Sequence, residues 1–142
     1  MKLAILSNGP GNYSTKRLVE EAEKRGHEVR VIKYKNCYLA LDDKHPDVYY
    51  EGEKLKGFDA ILPRISNSMT RYGCAVVRQF EMQGVYTSAT SVAITRARDK
   101  LRAAQILAKY DVDTPKTLVS RNTSDIDDLL EQIGLPVIIK LA

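Results

Sequence analysis

The chain has 142 residues, with 22 Lys and Arg against 18 Asp and Glu for a formal charge of +4, and it is 44% hydrophobic and 28% charged. This is an ordinary soluble globular composition, with length for one complete domain and the start of a second. The first apolar run, Leu3-Ala4-Ile5-Leu6, stops at Ser7-Asn8-Gly9, far short of the roughly 7 to 15 residues of a secretory core or the about 20 of a membrane span, so a cytoplasmic protein with no membrane contact is expected.

In chain order, residues 1–7 suit a short buried strand, because four apolar residues run together into the turn cluster Asn8-Gly9-Pro10-Gly11-Asn12. A helix follows. Ser14 or Thr15 is placed to cap it, Leu18, Val19 and Ala22 give an apolar stripe, and Gly26 stands where a helix ends. His27 to Lys33 alternates as a second strand, and strand, helix, strand in that space makes a βαβ unit with a parallel sheet. Residues 34–58 hold short apolar pieces, Tyr38 to Leu41 and Val48 to Tyr50, separated by Asp42-Asp43-Lys44-His45-Pro46, and predict an excursion of small strands or a hairpin. Ala60-Ile61-Leu62-Pro63 predicts a buried strand that ends at the proline, which has no N–H to donate.

The next helix is expected from Thr70 to Gln83, ended by Gly84, with a short strand at Val85-Tyr86-Thr87. Ser88 to Ala93 and then Ile94 to Tyr110 continue helically, striped by Ile94, Ala97, Leu101, Ala104, Leu107 and Ala108. Asp111-Val112-Asp113-Thr114-Pro115 opens a second unit in which 116–119 suits a strand, 124–133 an acidic helix, and 136–141 a strongly apolar strand. An apolar edge strand with no cover is what natural domains avoid, so the chain is expected to be a fragment of a longer protein.

Four features carry candidate chemistry. Gly9-x-Gly11-x-x-Ser14 between strand and helix approaches a dinucleotide fingerprint, although its third glycine is missing. Lys33-Tyr34-Lys35 stands where an acidic ribose ligand belongs, which leaves an NADP site or a plain turn. The loop Arg64-Ile65-Ser66-Asn67-Ser68 leaves the carboxyl end of a parallel strand, the edge where open α/β sheets collect ligands. An arginine fork with short hydroxyl and amide groups suits a carboxylate or phosphate, and local turn hydrogen bonds are the alternative.

The run from Ile94 to Lys109 carries Arg96, Arg98, Lys100, Arg102 and Lys109 against Asp99 alone, a local +4 on one helix. It suits a solvated face or an anionic partner, and the absence of an aromatic platform speaks against RNA. Lys100 borders the apolar stripe, half buried. Lys140 sits alone in Val137-Ile138-Ile139-Lys140-Leu141, where a cation needs a polar face or an anion. Cys37 and Cys74 are isolated, with only His27 and His45 as company, so reduced thiols are expected rather than a zinc site or disulfide.

Taken in order, the strand-loop-helix at 1–26, the stretch Phe58-Asp59-Ala60-Ile61-Leu62-Pro63-Arg64-Ile65, Arg78-Gln79-Phe80-Glu81-Met82, Ser91-Val92-Ala93-Ile94, Arg96-Ala97-Arg98-Asp99-Lys100-Leu101, Thr114-Pro115 and Pro136-Val137-Ile138-Ile139-Lys140-Leu141 resemble the RimK-type glutamate ligases of the ATP-grasp superfamily. The resemblance implies an open, mostly parallel Rossmann-like pre-ATP-grasp domain over residues 1–90, followed over 91–142 by a linker helix and the start of an α+β ATP-grasp domain.

The resemblance also implies that Lys100 and Lys140 reach ATP phosphates and that Arg64, Ser66, Asn67 and Ser68 bind substrate. The reaction it implies activates a carboxylate as its acyl phosphate, which the amine of L-glutamate then attacks. The acceptor would be a protein or small-molecule carboxylate, such as the C-terminal glutamate of ribosomal protein S-six. Mg2+ or Mn2+ would be held by ligands beyond residue 142, so the chain alone carries no complete catalytic or metal site. Direct nucleic-acid binding is not implied, and a homo-oligomer is compatible. The competing expectation is a stand-alone Rossmann-like module binding NADP or another nucleotide.

Overall fold

A continuous apolar run can be buried on both faces only if helices cover both sides of its sheet, and residues 2–7 are placed that way. The computed structural model describes residues 1–41 and 46–140; Asp42 to His45, within the separator of the expected excursion, and the end of the last apolar segment at Leu141 lie outside them. Two compact units divide the chain, Met1–Thr95 and Arg96–Ala142.

In the first unit, β1 (Lys2–Ser7) lies between β2 (Glu28–Ile32) and β6 (Ala60–Arg64), parallel to both. The two-residue β7 (Tyr86–Thr87) extends the sheet in the order β2-β1-β6-β7. Alternation along β1 divides the core. Leu3 packs with Ala60 and with Ala22 of α1 (Tyr13–Lys24), whereas Ala4 and Leu6 join Ile61 and the Val76, Val77 and Phe80 face of α2 (Thr70–Met82). The expected βαβ unit is present.

Ser14 and Thr15 do not cap α1. The helix starts one residue after Asn12, and Thr15 is buried with its hydroxyl 3.1 Å from that of Ser7. β6 runs one residue beyond Pro63, because Arg64 still pairs with Ser7 in the parallel register.

The excursion after β2 is a separate antiparallel sheet of β3 (Cys37–Leu41), β4 (Pro46–Tyr50) and β5 (Glu53–Lys54). Polar side chains of α2 and of Gln83 just after it fasten it by its carbonyls. Gln79 Nε2 donates to Ala40 O at 2.8 Å, Gln83 Nε2 to Pro46 O at 2.6 Å and Tyr72 Oη to Cys37 O at 2.5 Å. Cys37 and Cys74 are free thiols, both buried.

The expected long helix after Ser88 is in fact two, α3 (Ser91–Arg98) and α4 (Lys100–Lys109). Asp99 separates them because its carboxylate accepts the Arg102 N–H at 2.9 Å and caps α4. The basic run is therefore shared between two helices. In the second unit α5 (Ile126–Ile133) follows a single 3-10 turn and carries Asp127 and Asp128 in its first turn, the favourable end of the helix dipole.

The strands expected at 116–119 and 136–141 are not formed among the described residues. A strand exists only by pairing, and no neighbouring strand lies beside either segment there; Ile138 and Ile139 are exposed accordingly. No helix among the described residues is long and apolar enough to cross a membrane.

Candidate functional site

The strand order reverses between β1 and β6: the chain leaves β1 toward β2 on one side and returns to β6 on the other. At such a switch point the loops from adjacent strands diverge and leave a crevice at their carboxyl ends. Ser7 and Arg64 are the last paired residues on its two sides, and three loops meet around them. These are residues 8–12 after β1, the turn Tyr34–Asn36 after β2, and residues 65–69 after β6.

Side chains tie the three loops together. Asn8 Oδ1 accepts the Lys35 N–H at 3.0 Å while its Nδ2 lies 3.4 Å from Met69 Sδ. Tyr34 Oη accepts the Ser66 N–H at 2.8 Å and lies 2.9 Å from Ser66 Oγ. Arg64 Nη2 donates to Ser14 Oγ at 2.9 Å. Beneath the loop, Ile65 is buried against Gly73 of α2, where a Cβ would come within 2.5 Å of Ile65 Cγ2.

Of the candidates read from the sequence, Arg64, Ser66, Asn67 and Ser68 all lie on this rim, exposed. Ser66 Oγ is 3.4 Å from Ser68 Oγ, and the Asn67 carbonyl accepts from Thr70 Oγ1 at 3.0 Å. Ser14 and Tyr34 enter the cluster in roles the sequence did not assign, having been singled out only within the Gly9-x-Gly11-x-x-Ser14 and Lys33-Tyr34-Lys35 stretches, and Asn8 was read only as part of a turn. Within that turn the Asn12 N–H donates to Gly9 O at 3.1 Å, so the Gly9 segment makes a chain reversal.

Lys100 and Lys140 both lie in the second unit. Lys100 is the first residue of α4, and Lys140 is the last of the described residues. Lys100 is exposed rather than half buried, because the apolar stripe it borders is itself open, with Leu101 at 45% exposure. Both ammonium groups are exposed. Among the described residues, no three His, Cys, Asp or Glu side chains converge as metal ligands.

A parallel sheet covered on both faces, with a polar loop cluster at its switch point, defines a ligand-binding α/β domain of the open-sheet class. Residues 1–94 match the RimK PreATP-grasp domain and residues 97–142 the RimK-like ATP-grasp domain; the chain belongs to the RimK family of ATP-grasp proteins. It is 56% identical over 142 residues to a probable alpha-L-glutamate ligase of Hydrogenovibrio crunogenus and 52% identical to one of Pseudoalteromonas translucida, in each case over 99% of this chain and 47% of the relative. The chain thus spans about half the length of the curated relatives it matches.

Among solved structures, the ATP-grasp ligase PsnB complexed with minimal precursor superposes with a TM-score of 0.72 at 15% identity, over 94% of this chain and 50% of that one. A RimK domain protein ATP-grasp from Sphaerobacter thermophilus gives 0.66 at 21%, over 96% and 48%. These likenesses establish the ATP-grasp type of fold that the sequence led us to expect.

Proposed function

We propose that this chain is the first half of an ATP-dependent ligase that adds L-glutamate to a carboxylate acceptor. The observation that carries the proposal is the identity of about half of all residues, over the whole chain, to proteins named probable alpha-L-glutamate ligase. The rim at the switch point supports it independently, since an arginine fork among hydroxyl and amide groups is suited to holding a carboxylate.

In this proposal the pre-ATP-grasp part ends ahead of the helix that opens at Ser91, and the nucleotide-binding part begins there. Arg64 and Asn67 hold the carboxylate-bearing substrate, from the loop that Ser66 and Ser68 help to shape. Lys100 and Lys140 neutralise ATP phosphates as the γ-phosphoryl group passes to the acceptor carboxylate and ADP leaves; a bound Mg2+ or Mn2+ would add to that charge neutralisation. The glutamate amine then attacks the activated carbonyl, phosphate leaves, and an amide bond forms. Such chemistry depends on positioning and charge neutralisation more than on a protein nucleophile. A cytoplasmic setting and a peptide acceptor ending in glutamate, such as a ribosomal protein tail, fit this reaction.

The test is incubation of the full-length ligase with ATP, Mg2+, L-glutamate and a peptide ending in glutamate. Stepwise mass gains of one glutamyl residue, with one ADP released per step, are expected. ATP-independent binding of NADPH with no ligation would overturn the proposal in favour of a nucleotide-binding module.

A further inference from the structure

Ser66 was expected to touch substrate, yet both of its hydrogen-bonding groups that could do so are engaged. Its N–H is donated to Tyr34 Oη at 2.8 Å, and its hydroxyl lies 2.9 Å from the same oxygen. A phenol has one proton and two lone pairs, so this single hydroxyl serves both bonds. The remaining polar contacts of Ser66 are local, to Ser68, Met69 and Thr70. Tyr34 itself is fully buried, its ring packed in the core with Leu6, Ile32 and Ile61. A ring immobilised in the core thus carries one hydroxyl to the crevice and fixes the loop there.

We propose that Tyr34 is a positioning residue for the carboxylate-bearing substrate, acting through Ser66, and that Arg64 and Asn67 make the direct contacts. This rests on the ligase reading above. Arg64 gives one N–H to Ser14 and keeps others for a ligand. The Asn67 side chain has no hydrogen-bond partner among the described residues, in contrast to Ser66. Both flank Ser66 in sequence, so holding Ser66 fixes the backbone from which each reaches. Freezing a loop in its bound form raises affinity by removing the entropy of ordering it at the moment of binding.

The experiment compares Tyr34→Phe, Ser66→Ala and Arg64→Ala in the full-length ligase, reading KM and kcat for the acceptor peptide together with amide hydrogen exchange across residues 64–69. Phenylalanine keeps the ring and its packing, and water can take the freed N–H because Ser66 is exposed. Tyr34→Phe removes both bonds to Ser66 and should raise the acceptor KM on the order of 10- to 100-fold, with kcat and the KM for ATP unchanged. It should also speed exchange at Ser66 while β1 stays protected. Ser66→Ala, which retains the N–H bond, should do less, and Arg64→Ala more.

Unchanged exchange and KM in Tyr34→Phe would overturn the inference. So would a larger KM effect from Ser66→Ala than from Tyr34→Phe, which would make Ser66 a direct ligand. A wild-type enzyme that ligates no glutamate would sink the ligase reading, whereas exchange at Ser66 would still decide whether Tyr34 orders the loop.

Discussion

Arg64 at the end of β6 donates to the Ser14 hydroxyl in the first turn of α1, 2.9 Å away and fifty residues earlier in the chain. The guanidinium is thereby tied to α1 while it stays exposed on the rim. Replacing Arg64 by Ala should lower kcat/KM for the carboxylate substrate on the order of 100-fold, the usual cost of removing one partner of a charged hydrogen-bonded pair. Lysine keeps the charge without the fork and should recover only part of this. Steady-state kinetics with the acceptor varied at saturating ATP is the measurement; equal activity in Arg64→Ala would place the substrate elsewhere.

The two lysines of the second unit predict the converse pattern. Lys140→Ala and Lys100→Ala should each depress ATP turnover, on the order of 100-fold where the ammonium neutralises charge in the transition state. Equilibrium binding of the acceptor peptide to the nucleotide-free enzyme should not change. Isothermal titration beside an ADP-release assay separates these effects, and undiminished turnover in Lys140→Ala would remove that residue from the nucleotide site.

Gly73 is a packing position, since a Cβ there would lie 2.5 Å from Ile65 Cγ2. Gly73→Ala should destabilise the fold by about 1–3 kcal/mol through overpacking and displace the loop that Ile65 anchors. Chemical denaturation together with the acceptor KM measures both consequences. In an Ile65→Ala background, which removes Cγ2 together with Cγ1 and Cδ1, the cost of Gly73→Ala should shrink; an equal cost in both backgrounds would mean that the contact is not what excludes a side chain.

Burial pushes the Cys37 thiol up to about 11 from its ordinary 9.0. Between those values the unfolded chain gives up a proton that the folded one keeps, so folding stability should fall as pH rises from about 9 to about 11, by up to about 3 kcal/mol. Below pH 9 this group should contribute no slope. Denaturation midpoints across that range, compared with Cys37→Ala, measure it, and an identical alkaline slope in the variant would assign the effect to other groups.

The elements legible in the sequence were those whose cause is local. Leu3 to Leu6, the striped helix ended by Gly26, and the run Ala60 to Leu62 each declare themselves by pattern, and the loop after β6 followed because strand ends are where crevices form. What pattern could not reach was set by distant partners. Asp99 looked like one polar residue within a helix, but its carboxylate caps a new one. Residues 136–140 have the composition of a strand, and pairing decides whether they become one. Tyr34 resembles any aromatic after a strand until the chain brings Ser66, thirty-two residues on, to its hydroxyl.

The knotting of three loops by Asn8, Tyr34 and Ser14 also constrains how this crevice is able to diverge. A loop bound only to itself accepts insertions and drifts freely among descendants, but here a change in any one loop disturbs residues donated by another strand. Lineages that acquire a new acceptor should therefore alter positions 8, 14, 34, 64 and 66 as a set, while the turns at the opposite end of the sheet vary independently.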